Sequence, residues 1–261
     1  MEICVCVKRV PMVGGAIAVT PDGLDVDVSM SGFTVSPHEE CGVEEAVRIT
    51  ERLGGSVTVL TLGPPQAADQ LRDMLALGAS RGVLLQTDGA EWGPVATAGA
   101  IAAAVAGRGY DLLLFGNESA DTGGYQVPVR VAHALGLPCV TGIKRLEVTG
   151  GDGAVAAGGP GLRITASREY RGAEEVFDVP LPAVVSVREG INLPRYPSLP
   201  GRLRAKRATI EITEVAGTAD CLAKLALRVP QAASKQTKLL GSGPNAVPAL
   251  VGLLEELGVL P

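Results

Sequence analysis

The first 140 positions alternate between two spacings of apolar residues. Short runs rich in β-branched and aliphatic residues, Glu2 to Val7, Val57 to Leu62, Val83 to Leu85 and Leu112 to Phe115, read as strands. Each is followed by a stretch with the three-to-four-residue spacing of a helix. The first helix has a complete start signal: Ser36 as N-cap, Pro37 at the first helical position and Glu39 three residues on as the return half of a capping box. Its apolar face carries Val43, Ala46, Val47 and Leu53, and Gly54-Gly55 ends it. A second helix carries Ala67, Leu71, Met74 and Leu75 and stops at Gly78. A third, alanine-rich, spans about Val95 to Ala106, and a fourth, with Val127, Val131, Ala134 and Leu135, stops before Pro138. Strand and helix in strict alternation predict an α/β fold, a parallel sheet covered on both faces in the doubly wound manner.

Two stretches break the alternation. Between the first strand and first helix, Ala16 to Thr20 and Asp25 to Val28 flank Pro21-Asp22-Gly23, the mark of a surface hairpin. Beyond residue 140, Arg145 to Val148, Leu162 to Ala166, Glu175 to Val179 and Ala183 to Val187 are short β-like runs, expected to extend the sheet or to form an antiparallel flap. From Asn192 the chain is rich in Pro and Arg. After Thr209 to Ile212 it becomes a tail with two weak helical patterns, Asp220 to Leu227 and Val247 to Leu257. The expected division is 1–190 as the α/β domain with its flap, 191–207 as a partner-facing loop and basic segment, and 208–261 as an extended C-terminal arm. An arm with Leu250, Val251, Leu253, Leu254 and Leu257 is expected to dock rather than to sit in water.

Composition narrows the class. Hydrophobic residues make up 46%, charged residues 20% and aromatic residues 3%, suited to a tightly packed globular α/β protein. Five cysteines, mostly inside apolar runs, point to thiols in a reducing compartment. The chain opens almost directly on a strand, and no apolar run reaches the roughly 20 residues that span a bilayer, so a cytoplasmic protein without membrane insertion is expected. The net charge of −5 argues against a nucleic-acid partner.

In such a sheet ligands sit beyond the carboxyl ends of the strands. Three loops meet there: Lys8 to Gly15, Gly63-Pro64-Pro65, and Gly116 to Gly124. The last is polar and glycine-rich, carries Ser119 and Thr122, and feeds a helix near Tyr125 or Gln126 whose first N–H groups face an anion. It reads either as a phosphate or nucleotide cradle or as a polar turn. It matches neither the dinucleotide Gly-x-Gly-x-x-Gly nor the Lys-bearing phosphate loop, which disfavours a dehydrogenase or an ordinary nucleotide hydrolase.

Catalytic equipment is sparse. His38 and His133 lack a nucleophile elbow or a metal motif around them. Cys4 and Cys6 share one strand face, as core packing requires and as half a metal site would. Glu39-Glu40 and Glu44-Glu45 lie in the N-terminal half of a helix, where acids complement the dipole.

The sequence resembles the β subunits of electron-transfer flavoproteins. The likeness runs through Val7-Lys8-Arg9-Val10-Pro11, then Ser36-Pro37 to Glu44-Glu45-Ala46-Val47-Arg48, and Leu77 to Gly82. It continues through Asp111 to Gly116 with Asp121 and Gln126, Arg168-Glu169-Tyr170 and Leu181 to Val185. Its strongest piece is Asn192-Leu193-Pro194-Arg195-Tyr196-Pro197-Ser198-Leu199-Pro200, followed by the basic residues 202–207. The resemblance implies a Rossmann-like, adenine-nucleotide-type domain, an electron carrier rather than an enzyme, and a heterodimer with an α subunit that holds most of an FAD. It further implies a structural AMP in this chain, with contacts carried over to Cys6, Ser36, Pro37, His38, Glu39, Leu62, Asp121, Thr122, Gly123, Gly124, Tyr125, Gln126 and Val127. Electrons would come from flavin dehydrogenases of the acyl-CoA type in fatty acid oxidation. The docking residues implied are Tyr196, Leu199, Pro200, Arg202 and Arg204, with Leu199 as the anchor.

Three departures from the family pattern stand out. Ser36 replaces the usual Asn, still an N-cap. His38 replaces an aromatic that in relatives lies near the flavin ring, and is expected to tune the flavin potential. Bifurcating relatives hold a second FAD in place of AMP and carry Asp-Gly-Asp-Thr-Ala-Gln-Val, whereas Asp121-Thr122-Gly123-Gly124-Tyr125-Gln126-Val127 lacks the second acid and has Tyr for Ala, favouring AMP. Two alternatives of another class are a stand-alone adenine-nucleotide sensor and an adenylating enzyme, the second lacking its Ser-Gly-Gly-x-Asp-Ser loop.

Overall fold

The structure is a computed structural model that describes residues 1–12, 14, 17–149, 161–216, 223–229 and 238–260. One compact unit comprises residues 1–16 and 27–225. Its central sheet has seven strands: β1 (Glu2–Cys6), β4 (Ser56–Gly63), β5 (Arg81–Gln86), β6 (Leu112–Gly116), β7 (Cys139–Ile143), β11 (Ala183–Val187) and β12 (Ile210–Glu214). They lie in the order β12-β5-β4-β1-β6-β11-β7 with every neighbouring pair parallel. A two-stranded ribbon, β2 (Val10–Pro11) with β3 (Phe33–Thr34), precedes the first helix.

Alternation along each strand splits the core into two layers. Ile3, Val5 and Val7 face one layer with α1 (Pro37–Leu53) and α2 (Ala68–Leu77), through Val43, Val47, Leu71 and Leu75. Cys4 and Cys6 face the other with α3 (Pro94–Val105) and α4 (Val127–Leu135), through Ile101, Val105 and Val131. The doubly wound α/β architecture expected from the alternation is the one observed. Both thiols are buried core groups, and burial pushes the Cys6 thiol well above its ordinary range.

Of the four β-like runs after residue 140, one entered the sheet as β11. The others form a separate antiparallel sheet, β8 (Arg145–Thr149), β9 (Arg163–Tyr170) and β10 (Ala173–Pro180), so both expectations for this region are realised by different strands. Strand β7 is an addition to the sequence reading.

Two features differ from the expected division of the C-terminal third. Leu199–Arg207, within the segment expected as a partner-facing loop, is a helix, α5: Ser198 caps it by accepting the Gly201 N–H at 3.1 Å, and Pro200 sits in its first turn. A Cβ on Gly201 would lie 2.8 Å from the Ala76 carbonyl oxygen, so glycine is what lets α5 lie against α2. Next, residues 210–214, read as the start of the arm, are the edge strand beside β5, where Ile210 packs so closely over Gly82 that a Cβ there would lie 2.7 Å from its Cδ1.

The second unit comprises residues 17–26 and 226–261. The expected hairpin appears as a Val19–Val26 bridge around Pro21-Asp22-Gly23, and the Leu227 N–H donates to the Gly23 carbonyl at 2.7 Å. A 3-10 turn (Gly243–Ala246) leads into α6 (Val247–Glu256), as expected. The helical pattern at 220–227 falls partly outside the described residues, and 223–227 are not helical.

Candidate functional site at the carboxyl edge of the sheet

Strand order reverses direction at β1: the chain proceeds outward through β4 and β5, then returns to place β6 on the other side. Ligand crevices form at such reversals. The register aligns Cys6 with Leu60 of β4 and Phe115 of β6, so the segments that follow these strands, from Val7, Pro64 and Asn117, leave the sheet at the same edge, with β4 running on to Gly63.

Side-chain contacts join two of these loops to the start of α1. Lys8 Nζ lies 2.6 Å from Asp121 Oδ2. The Ser36 hydroxyl reaches the Glu118 carbonyl at 3.5 Å. The His38 Nδ1 accepts the Glu189 N–H at 2.8 Å, which leaves the ring proton on Nε2, 3.5 Å from Glu118 Oε1. Glu39 lies beneath the crevice, 6% exposed, its carboxylate accepting from the Lys8 N–H at 3.0 Å and the Ser36 N–H at 3.4 Å. Gly116 is necessary above it, because a Cβ there would sit 2.6 Å from Glu39 Cγ. Burial pushes the Glu39 carboxyl up to about 8, against the lowering effect of those two amides. Burial acts on Asp121 in the same direction but loses to the Lys8 hydrogen bond and charge, and its carboxyl is held below the usual range.

Beyond Asp121 the loop closes on itself. Its carboxylate accepts the Thr122 N–H at 2.8 Å, and the Ser119 and Thr122 hydroxyls are 2.8 Å apart. Gly123 (φ 54°) and Tyr125 (φ 55°) are left-handed, the second uncommon for a residue with a side chain. Tyr125 is half exposed, and its phenol is raised by a hydrogen bond to Glu118. The amides of Gly124, Tyr125, Gln126 and Val127 find no acceptor among the described residues, and they run into the N-terminus of α4. Successive free N–H groups at a helix start are an anion site, while Glu118 and Asp121 are acceptors suited to sugar hydroxyls.

Among the residues expected from the sequence, Ser36 and Glu39 touch directly, Lys8 joins Glu39 to Asp121, and Glu118 joins Ser36 to His38, with Thr122 to Val127 continuing the same loop. Cys6 ends β1 and Leu62 is the next-to-last residue of β4, Cys6 buried and Leu62 partly so, and Pro37 is exposed at the first turn of α1. Lys8, Glu118 and Glu189 were missed as site residues. Lys8 is signalled only by following β1 directly; Glu189 enters through its backbone, which no side-chain pattern announces.

A second surface lies along residues 192–207. Leu193, Tyr196 and Leu199 are 83%, 84% and 71% exposed, and the Arg202 guanidinium stacks over the Tyr196 ring at 5.0 Å. Behind them is a groove of about 700 Å³ lined by Asp73, Met74, Leu77, Pro194 and Arg202 among others.

Residues 26–218 match the family model described as the electron transfer flavoprotein domain. A protein of Syntrophomonas wolfei named electron transfer flavoprotein subunit beta is 33% identical over 92% of this chain and 90% of its own length. Proteins of the same name from Bacillus subtilis and Mycobacterium tuberculosis are each 34% identical, over 70% and 82% of this chain and 68% and 79% of their own lengths.

Proposed function

Because the chain belongs to the electron-transfer flavoprotein β subunit family, we propose that it works as one half of an FAD-containing heterodimer, binding AMP itself and receiving electrons from flavin dehydrogenases. The observation that supports the nucleotide is the run of amides from Gly124 to Val127 that find no acceptor among the described residues, in the loop whose Asp121 is paired with Lys8. Those amides and Lys8 suit a single phosphate, Glu118 and Asp121 suit ribose hydroxyls, and the glycines permit close approach. AMP supplies no chemistry here; bound, it fills and orders the crevice. The FAD, held mostly by the α subunit, supplies the electron chemistry, and His38 is this chain's side chain toward it. Its tether to Glu189 and Glu118 fixes which ring nitrogen carries the proton.

Docking of the dehydrogenase is assigned to Leu199 with Tyr196, Pro200, Arg202 and Arg204. The exposed apolar residues on the capped start of α5 support this, because a helical turn presents Leu199 with little ordering cost. The arm is assigned to the α subunit: no residue of α6 is buried, although Leu250, Val251, Leu253 and Leu254 are concentrated there. No described helix is long and apolar enough to cross a membrane, and the chain is proposed to act in the cytoplasm.

Co-expression with the α subunit and a count of FAD and AMP per heterodimer tests the reading. One of each is expected. Two FAD and no AMP selects a bifurcating subunit, and a flavin-free homo-oligomer selects a nucleotide sensor.

A further inference from the structure

We infer that Arg195 is a positioning residue that locks the partner-facing segment onto helix α1 and so sets the pose of Leu199 before a partner arrives. The inference rests on the docking role proposed above. Arg195 engages Glu44 with its backbone N–H at 3.1 Å, Nε at 2.8 Å and Nη2 at 3.3 Å. The same guanidinium grips Glu51 with Nη1 at 2.6 Å and Nη2 at 3.0 Å. Glu44 is 1% exposed, so this is no rim contact between solvated groups. Arg48 completes it, Nε on Glu44 at 2.5 Å and Nη2 on the Leu193 carbonyl at 3.0 Å. Asn192 Nδ2 adds bonds to the Cys41 carbonyl at 3.0 Å and to Glu45 at 2.9 Å.

All these partners lie on α1, which the core holds through its opposite residues Val43, Ala46 and Val47. The segment is therefore fixed to a rigid element at 192–195 and again where Gly201 abuts Ala76, and Leu199 projects between the two attachments. Only a planar fork satisfies two carboxylates at once; a lysine ammonium offers one point charge.

The test uses the co-expressed heterodimer, with Arg195→Lys, Glu51→Gln and Leu199→Ala. Hydrogen exchange reads the segment directly, and steady-state reduction by a flavin-dependent acyl-CoA dehydrogenase reads docking. Arg195→Lys is expected to speed exchange at 192–198 by about tenfold. It is also expected to raise the KM for the flavoprotein about tenfold, with kcat and flavin content unchanged. Glu51→Gln, which leaves no buried charge behind, is expected to move both in the same direction by less, and decides the matter if Arg195→Lys fails to fold. Unchanged exchange overturns the inference. So does faster exchange with unchanged KM while Leu199→Ala raises KM, a result that keeps the docking surface and removes Arg195 from it. If Leu199→Ala also leaves KM unchanged, the docking assignment falls, and this inference with it.

Discussion

The carboxylate of Glu39 accepts the backbone N–H of Lys8, tying the exit of β1 to the first turn of α1 through an acid that is almost wholly buried. The crevice proposed for the nucleotide is therefore built over a group whose charge is costly. Its carboxyl titrates near 8 in the folded chain against an ordinary value of 4.5. Because the folded form holds the proton more tightly, stability is highest at low pH on this account, falls as pH rises from 4.5 toward 8, and levels off above. Glu39→Gln is expected to flatten that slope, gaining on the order of a few kcal/mol over wild type at pH 9. Denaturant unfolding of both proteins from pH 5 to 9 checks it; parallel profiles would refute the assignment.

Gly116→Ala places a methyl group 2.6 Å from Glu39 Cγ. The acid must move, and with it its bonds to Lys8 and Ser36. A loss of about 1–3 kcal/mol in unfolding free energy is expected, together with reduced AMP content. A variant with wild-type melting and nucleotide load would show that the crevice floor is compliant.

His38 is held by the Glu189 amide on one nitrogen and faces Glu118 on the other. With the ring oriented toward the flavin as proposed, His38→Phe removes one polar contact. A change of about 30 mV in the two-electron midpoint potential is expected, the equivalent of one ordinary hydrogen bond. Spectroelectrochemical titration of the heterodimer measures it, and identical potentials at every pH would remove His38 from the flavin environment.

Leu199 is mostly exposed, so Leu199→Ala is expected to leave stability within about 0.5 kcal/mol of wild type while slowing reduction by the dehydrogenase. Thermal melting and stopped-flow flavin reduction separate the two effects. Unaltered reduction rates would place docking elsewhere.

For the arm, Leu250→Glu with Leu254→Glu is expected to weaken heterodimer association at least about tenfold, since charges would enter an apolar contact. Sedimentation of the co-expressed pair gives the answer; an intact heterodimer would mean that α6 lies outside the subunit interface.

The sequence made local features legible where a local rule was strong. Ser36, Pro37 and Glu39 announced α1, and the strict alternation of strands with helices announced a sheet covered on both faces. Strand β7 escaped because Pro138 precedes it and Gly142, at φ 72°, interrupts a five-residue run. Helix α5 had its signals, Ser198 as cap and Pro200 in the first turn, but the richness in Pro from Asn192 onward read more strongly as a loop. The site was legible as loops and not as contacts. Nothing local pairs Lys8 with Asp121, or Glu44 with Arg195 across 151 positions; those contacts exist only once the sheet order is set.

That sheet order leaves β12 at one margin, bonded to β5 on one side and to no described strand on the other. An open margin is a template on which a second chain can grow, and long apolar ones polymerise. Here Glu211 and Glu214 bracket the exposed Ile212, and Arg108 engages Glu211, so the margin is short and charged. A second copy approaching this margin edge to edge thus meets like charge on either side of its one exposed isoleucine, a built-in defence against stacking.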